Sequence, residues 1–203
     1  MGHRLILASA SPSRLRLLQG AGLSPEVIVS GAGEDGVDHL PPAEAALALA
    51  VRKAEVVAGR LAPPALADGP ALVIGCDSML ELAGAMYGKP ADPGEARRRW
   101  QQMRGHSGIL HTGHCIIDTG SGTRAGRTDS AIVRFGNPTD AEIDAYVATG
   151  EPLRVAGAFT LEGMSSPWID SIDGNYGTIT GISVPVVRAL LGELGIGIVE
   201  LWS

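Results

Sequence analysis

The chain has 203 residues, 45% of them hydrophobic, and a formal net charge of −6, which supports a single domain, or one domain with two lobes, around a packed core. The acidic balance argues against nonspecific binding to DNA, RNA or an anionic membrane, each of which calls for a basic face. It does not exclude a nucleotide: one arginine attracts a phosphate about 4 Å away by about 4 kcal/mol before desolvation, and charge farther than about 10 Å is screened.

The apolar run Leu5 to Leu7 predicts a buried strand that breaks into a helix, with Ser11 as N-cap, Pro12 at the first helical position, and Leu15 and Leu18 on one face. Arg14 stands in the first turn, where the helix dipole disfavours a cation unless an anion sits beside it, so hydroxyls, helix N–H groups and a guanidinium together suit a phosphate. Alternatively Ser9 to Ser11 is a polar connection and Arg14 points into water. No secretory apolar segment follows Met1-Gly2-His3-Arg4, and runs such as Ala65 to Ala67 or Ala71 to Ile74 are far too short to span a bilayer, so a cytoplasmic protein is expected.

Glu26 to Ser30 reads as a strand, followed by the loop Gly31 to Gly36 with its acids Glu34 and Asp35. Pro42 to Leu61 is an alanine-rich helix with Leu47, Val51, Ala54 and Ala58 at helical spacing; it carries Arg52 and Lys53 and ends near Gly59 and Ala62-Pro63-Pro64. Ala71 to Gly75 is a strand buried on both faces that delivers Cys76-Asp77-Ser78 at its C-terminal end. A hairpin through Met79 to Met86 and a turn at Tyr87 to Pro90 lead to a helix capped by Asp92-Pro93 and running to Met103. His111 to Thr119 and Ala131 to Phe135 read as strands of a second lobe. Thr139 and Glu142 open a helix to Thr149 as a capping box. Gly157 to Gly181 alternates turns with short strands, and Val184 to Leu194 is an amphipathic helix. Cys76 and Cys115 lack zinc or disulfide spacing and are expected reduced and buried.

An acid at the end of a buried strand is a common catalytic position, so Asp77 is either a functional acid or an N-cap or turn residue. With Glu34 it could hold a metal and take a proton from water, as cleavage of a polyphosphate requires. Lys53 and Lys89 read as solvated lysines or phosphate ligands; Lys89, between Gly88 and Pro90, has a turn to present it. A dinucleotide-binding oxidoreductase is discarded because no Gly-x-Gly-x-x-Gly turn follows the first strand.

Leu7-Ala8-Ser9-Ala10-Ser11-Pro12-x-Arg14, Lys53-Ala54, Gly75-x-Asp77, Gly88-Lys89-Pro90, Tyr146-Val147, Gly150-Glu151-Pro152, Ala156-Gly157-Ala158 and Gly174-x-Tyr176 through Gly181, taken in order, resemble the Maf family of nucleotide pyrophosphatases. The resemblance implies an α/β fold of the inosine-triphosphate-pyrophosphatase-like kind, a mixed central sheet with flanking helices and two lobes around a deep cleft, over residues 1–203. It implies hydrolysis of a nucleoside triphosphate to the monophosphate and pyrophosphate, with a divalent cation, Mg2+ or Mn2+, in a protein that is often a homodimer. It makes Asp77 the catalytic acid and, with Glu34, a cation ligand, and it makes Ser9, Arg14, Lys53 and Lys89 phosphate ligands. It also implies, as the alternative, a nucleotide-binding regulator of septum formation and division arrest.

Departures from the family pattern concern the substrate. Ser13 replaces the first of two arginines, Gly108 stands where a histidine is usual, Val155 replaces a lysine and Glu162 a glutamine. A carboxylate at Glu162 can accept from a guanine edge or favour a cationic methylated base, although Arg154 could neutralise it. These changes resemble the branch that acts on 7-methyl-GTP rather than dTTP or UTP.

Overall fold

The computed structural model describes residues 3–61 and 69–202, so the expected helix stop at Ala62-Pro63-Pro64, the run Ala65 to Ala67 and the start Met1-Gly2 lie outside the described residues. Strands are β1 (Arg4–Leu7), β2 (Glu26–Val27), β3 (Ala71–Leu82), β4 (Ala85–Tyr87), β5 (Ser107–Asp118), β6 (Arg124–Phe135) and β7 (Ile169–Asp173). Helices are α1 (Pro12–Gly20), α2 (Pro42–Arg60), α3 (Pro93–Met103), α4 (Asp140–Ala148), α5 (Tyr176–Thr180) and α6 (Val184–Glu193). Hydrogen bonding orders the strands β2-β1-β3-β5-β6-β7, with β4 on β3. The sheet is mixed, because β1 runs parallel to β2 and β3 while β4 and β7 pair antiparallel. The fold is therefore α/β, with helices flanking a mixed sheet. No helix among the described residues is long and apolar enough to cross a membrane.

Contacts divide the chain into two compact units, the first comprising residues 1–77, 112–129 and 181–203, and the second 78–111 and 130–180. In the first unit, alternation along the strands sends Leu5, Leu7, Leu72, Ile74 and Cys76 to one core with Leu18, Val187 and Leu190, while Ile6, Ala8, Val73 and Cys115 join Ala50, Ala54 and Val57 of α2. Burial on both faces explains why β3 reads as an unbroken apolar run.

The buried side of α2 is Ala45, Ala46, Leu49, Ala50, Ala54 and Val57 rather than the Leu47, Val51 and Ala58 of the expected stripe, all three only half-buried. Small residues face the sheet because two strand glycines let the helix come close. A Cβ on Gly75 would lie 2.2 Å from the Ala50 carbonyl oxygen, and one on Gly113 would lie 2.2 Å from that of Ala46.

In the second unit, Trp100 is wholly buried and makes edge-to-face contacts with Phe135, Tyr146 and Trp168, while its indole N–H donates to the Ala158 carbonyl at 2.8 Å. The capping boundaries hold: Ser11, Asp92 and Thr139 cap α1, α3 and α4, the last as a full capping box. Three expectations are corrected. β2 stops at Val27, and Gly157 to Gly181 holds one strand, β7, among short 3-10 turns and α5. The strands expected to build the second lobe begin earlier, and Thr112 to Asp129 belong to the first unit.

Candidate active site

Asp77 lies within β3 rather than at its end, because the strand continues to Leu82. What ends is its parallel partner: β1 pairs with β3 only as far as Leu7 with Ile74, and Ala8 N–H then donates to the Ile74 carbonyl at 2.8 Å. Asp77 thus stands three residues beyond the carboxyl end of a parallel pair, a position where open α/β sheets leave a crevice. Its buried carboxylate is met by the Lys53 ammonium, reaching over from α2. The same ammonium donates to Glu34 Oε1 at 3.0 Å. Lys53 is no solvated lysine: its side chain is 12% exposed against 50% for Glu34, so a nearly desolvated cation sits between two carboxylates.

The loop that carries Glu34 has little regular structure of its own and is tied to α2. Arg52 donates to the Gly33 and Asp35 carbonyls at 2.7 and 2.8 Å, on either side of Glu34. Arg60 donates to the carbonyls of Val29 and Ser30. One helix therefore supplies the ammonium and fixes the loop whose acid meets it. Arg52 and Arg60 were not legible as site residues, since their acceptors are backbone oxygens.

The junction of β1 and α1 also belongs to the first unit. Ser9 is buried, and its hydroxyl accepts from Ser11 N–H at 3.3 Å and from Arg14 Nη1 at 2.9 Å. Arg14 Nε donates to the Gly181 carbonyl at 2.8 Å, so the guanidinium is fixed rather than pointing into water. Gly181 has φ +110°, and a Cβ there would lie 3.0 Å from Arg14 Nε, so only glycine suits the position. Beside Asp77, burial pushes the Cys76 thiol up to about 12, and Cys115 is raised to about 11, which disfavours the thiolate at both buried cysteines.

Lys89 and Glu162 lie in the second unit. Lys89 is exposed, on a backbone anchored by its neighbour: the Gly88 carbonyl accepts from Arg99 Nη1 at 2.6 Å and from Gly157 N–H at 2.9 Å. Buried Arg99 also lies over the Tyr87 ring, 4.8 Å from its centroid. Glu162 is exposed and accepts from the Tyr176 hydroxyl at 3.3 Å, while Glu151 braces the same turn by accepting from Met164 N–H at 2.9 Å. At Gly108 a Cβ would meet Leu80 Cδ1 at 2.8 Å and the Glu81 carbonyl at 3.1 Å, so this packing has no room for a histidine.

Asp77 and Glu34 are the acids that could hold a hard cation in the first unit, in exchange for the Lys53 ammonium that lies between them. No cluster of three or more histidine, cysteine or acidic groups occurs among the described residues, so Asp77 and Glu34 would leave most of a cation's shell to water and substrate oxygens. That sharing is the usual habit of Mg2+.

The model of a family described as Maf-like protein matches residues 4–194. A protein of Streptomyces avermitilis named nucleoside triphosphate pyrophosphatase is 61% identical over 201 residues, covering 99% of this chain and 95% of its own. A Streptomyces coelicolor protein of the same name is 59% identical with the same coverage, and one from Salinispora tropica is 50% identical over 98% of this chain and 88% of its own.

Proposed function

The chain belongs to the Maf family, and we propose that it is a nucleoside triphosphate pyrophosphatase whose chemistry is carried by Asp77, Lys53 and Glu34. The supporting observation is the Lys53 ammonium clamped between the carboxylates of Asp77 and Glu34. Water attacks the α-phosphorus, the bridging bond to the β-phosphate breaks, and the monophosphate and pyrophosphate leave. Asp77 accepts the proton of the attacking water. Lys53 orients that carboxylate and places positive charge where negative charge grows on the phosphoryl oxygens. Arg14 and Ser9 present a guanidinium and a hydroxyl to phosphate oxygens at the start of α1, where the helix dipole favours an anion.

The donor set fits a divalent cation, which Asp77 and Glu34 would hold and which would supply further neutralisation of the phosphate charge. In the second unit we assign Lys89 to phosphate. Glu162 is assigned to the base, where its carboxylate, aligned by Tyr176, accepts from a guanine edge or balances a methylated, cationic one.

The test is an assay of the purified chain on 7-methyl-GTP, GTP, dTTP and UTP, with and without Mg2+, reading monophosphate and pyrophosphate. Cleavage between the α- and β-phosphates is expected, with 7-methyl-GTP preferred. Preference for dTTP overturns the reading of Glu162, and no cleavage of any triphosphate with any divalent cation overturns the activity.

A further inference from the structure

We propose that His114 is a positioning residue for Arg14: its imidazole holds the Gly181–Ser183 turn, whose first carbonyl fixes the guanidinium. The inference rests on the reading of Arg14 as a phosphate ligand. His114 lies on β5, wholly buried within the first unit, and its Nε2 is 2.8 Å from the Ser183 backbone nitrogen. An amide N–H can only donate, so Nε2 accepts, the proton sits on Nδ1 and the ring is neutral.

The surroundings keep it so. Burial, and then the Arg14 charge, push the imidazole down to about 4, against weaker opposition from Asp129 and the backbone of Arg127 and Thr112. Arg14 therefore sits close enough for its charge to be felt at the ring it depends on.

Ile182 packs into the core of the first unit and the Ser183 carbonyl accepts from Val187 N–H at 3.0 Å, but no side chain of the turn itself holds its amide. Ser183 is the N-cap of α6, yet its side chain makes no capping hydrogen bond, and its buried hydroxyl has no hydrogen-bond partner among the described residues. The Ser183 N–H would be an unpaired buried donor without the imidazole. Two residues earlier, Gly181 turns its carbonyl to Arg14 Nε at 2.8 Å, while Ser9 Oγ takes Nη1 at 2.9 Å. The guanidinium is fixed from two sides, and His114 governs one of them. An aliphatic side chain could fill the space of this ring but could not accept the amide proton.

Two substitutions separate acceptor from volume. In His114→Gln, Oε1 can take the place of Nε2; in His114→Leu no acceptor remains. For the triphosphate that the chain cleaves best, His114→Leu is expected to raise KM about tenfold with kcat changed less than about threefold, the signature of lost binding shared by ground and transition states. His114→Gln is expected to stay within about threefold of the parent on both constants, and Arg14→Ala/His114→Leu to lose no more than Arg14→Ala alone.

Arg14→Ala with an unchanged KM overturns the phosphate reading itself. If Arg14→Ala raises KM but His114→Leu does not, or if His114→Gln fails as badly as His114→Leu, the positioning role is overturned while the phosphate reading stands. Should His114→Leu fail to fold, nitrogen NMR of the parent protein decides: a neutral Nδ1–H tautomer at pH 7 is expected, and an Nε2–H tautomer or a charged ring overturns the proposal.

Discussion

Asp77→Asn is expected to lower pyrophosphate release about a thousandfold while leaving triphosphate binding within severalfold of the parent, as judged by steady-state rates and direct titration with the substrate. The substitution keeps the shape of the side chain and an oxygen for Lys53 but removes the group that accepts the proton of the attacking water, and loss of a positioned general base costs on the order of 10²–10⁴ in rate. The cost in stability is smaller than for an isolated buried ion pair, about 1–3 kcal/mol rather than 3–5, because Lys53 keeps the Glu34 carboxylate. A loss of less than tenfold in rate would remove Asp77 from the role of proton acceptor. The same variant tests the regulatory alternative: if the parent chain arrests division, arrest retained by Asp77→Asn without pyrophosphate release would support a non-enzymatic role.

The parts of the fold that were legible in the sequence are those set by residues a few positions apart. Ser11 before Pro12, Asp92 before Pro93, and Thr139 with Glu142 each satisfy helix N–H groups locally, and each marks a real helix start. The end of β3 was not legible, because Gly75 and Asp77 look like strand terminators in a linear reading. Gly75 instead admits α2, and Asp77 is tolerated in mid-strand because Lys53, 24 residues away, neutralises it there. Arg14 was visible as a cation in a first turn, but what fixes it is a carbonyl 167 residues later. Arg52 and His114 left no signal at all, since their partners are backbone groups and any residue can supply a carbonyl or an N–H. The resemblance of spaced motifs recovered the candidate residues across these distances; it carried no information on what positions them.

Gly75→Ala is expected to be the most damaging conservative change near the site. An added methyl would lie 2.2 Å from the Ala50 carbonyl oxygen, 2.8 Å from the Ala54 nitrogen and 2.9 Å from Ala54 Cβ, so two of the three obstacles are helix backbone that cannot rotate away. Relief requires α2 to lift from β3 as a unit. Overpacking of a tight core costs about 1–3 kcal/mol and sometimes more, and backbone contacts this short put Gly75→Ala at about 3 kcal/mol or above. In a chain of 203 residues that is roughly 6–12 °C of melting temperature. Activity should fall further than stability requires, because the helix that lifts carries Lys53 beside Ala54, and a separation of Lys53 from Asp77 by about 1 Å can cost on the order of 10² in rate. Gly113→Ala supplies the control. Its methyl would strike Ala46 of the same helix, 2.2 Å from the carbonyl oxygen, about two turns from Lys53. Both proteins should melt early in calorimetry, but at 20 °C, where each remains folded, Gly75→Ala should be the slower enzyme by about tenfold or more. Equal rates at that temperature would mean that α2 tilts without disturbing the pair, and an unchanged melting point for Gly75→Ala would mean that the helix does not rest on the strand as closely as its small residues indicate.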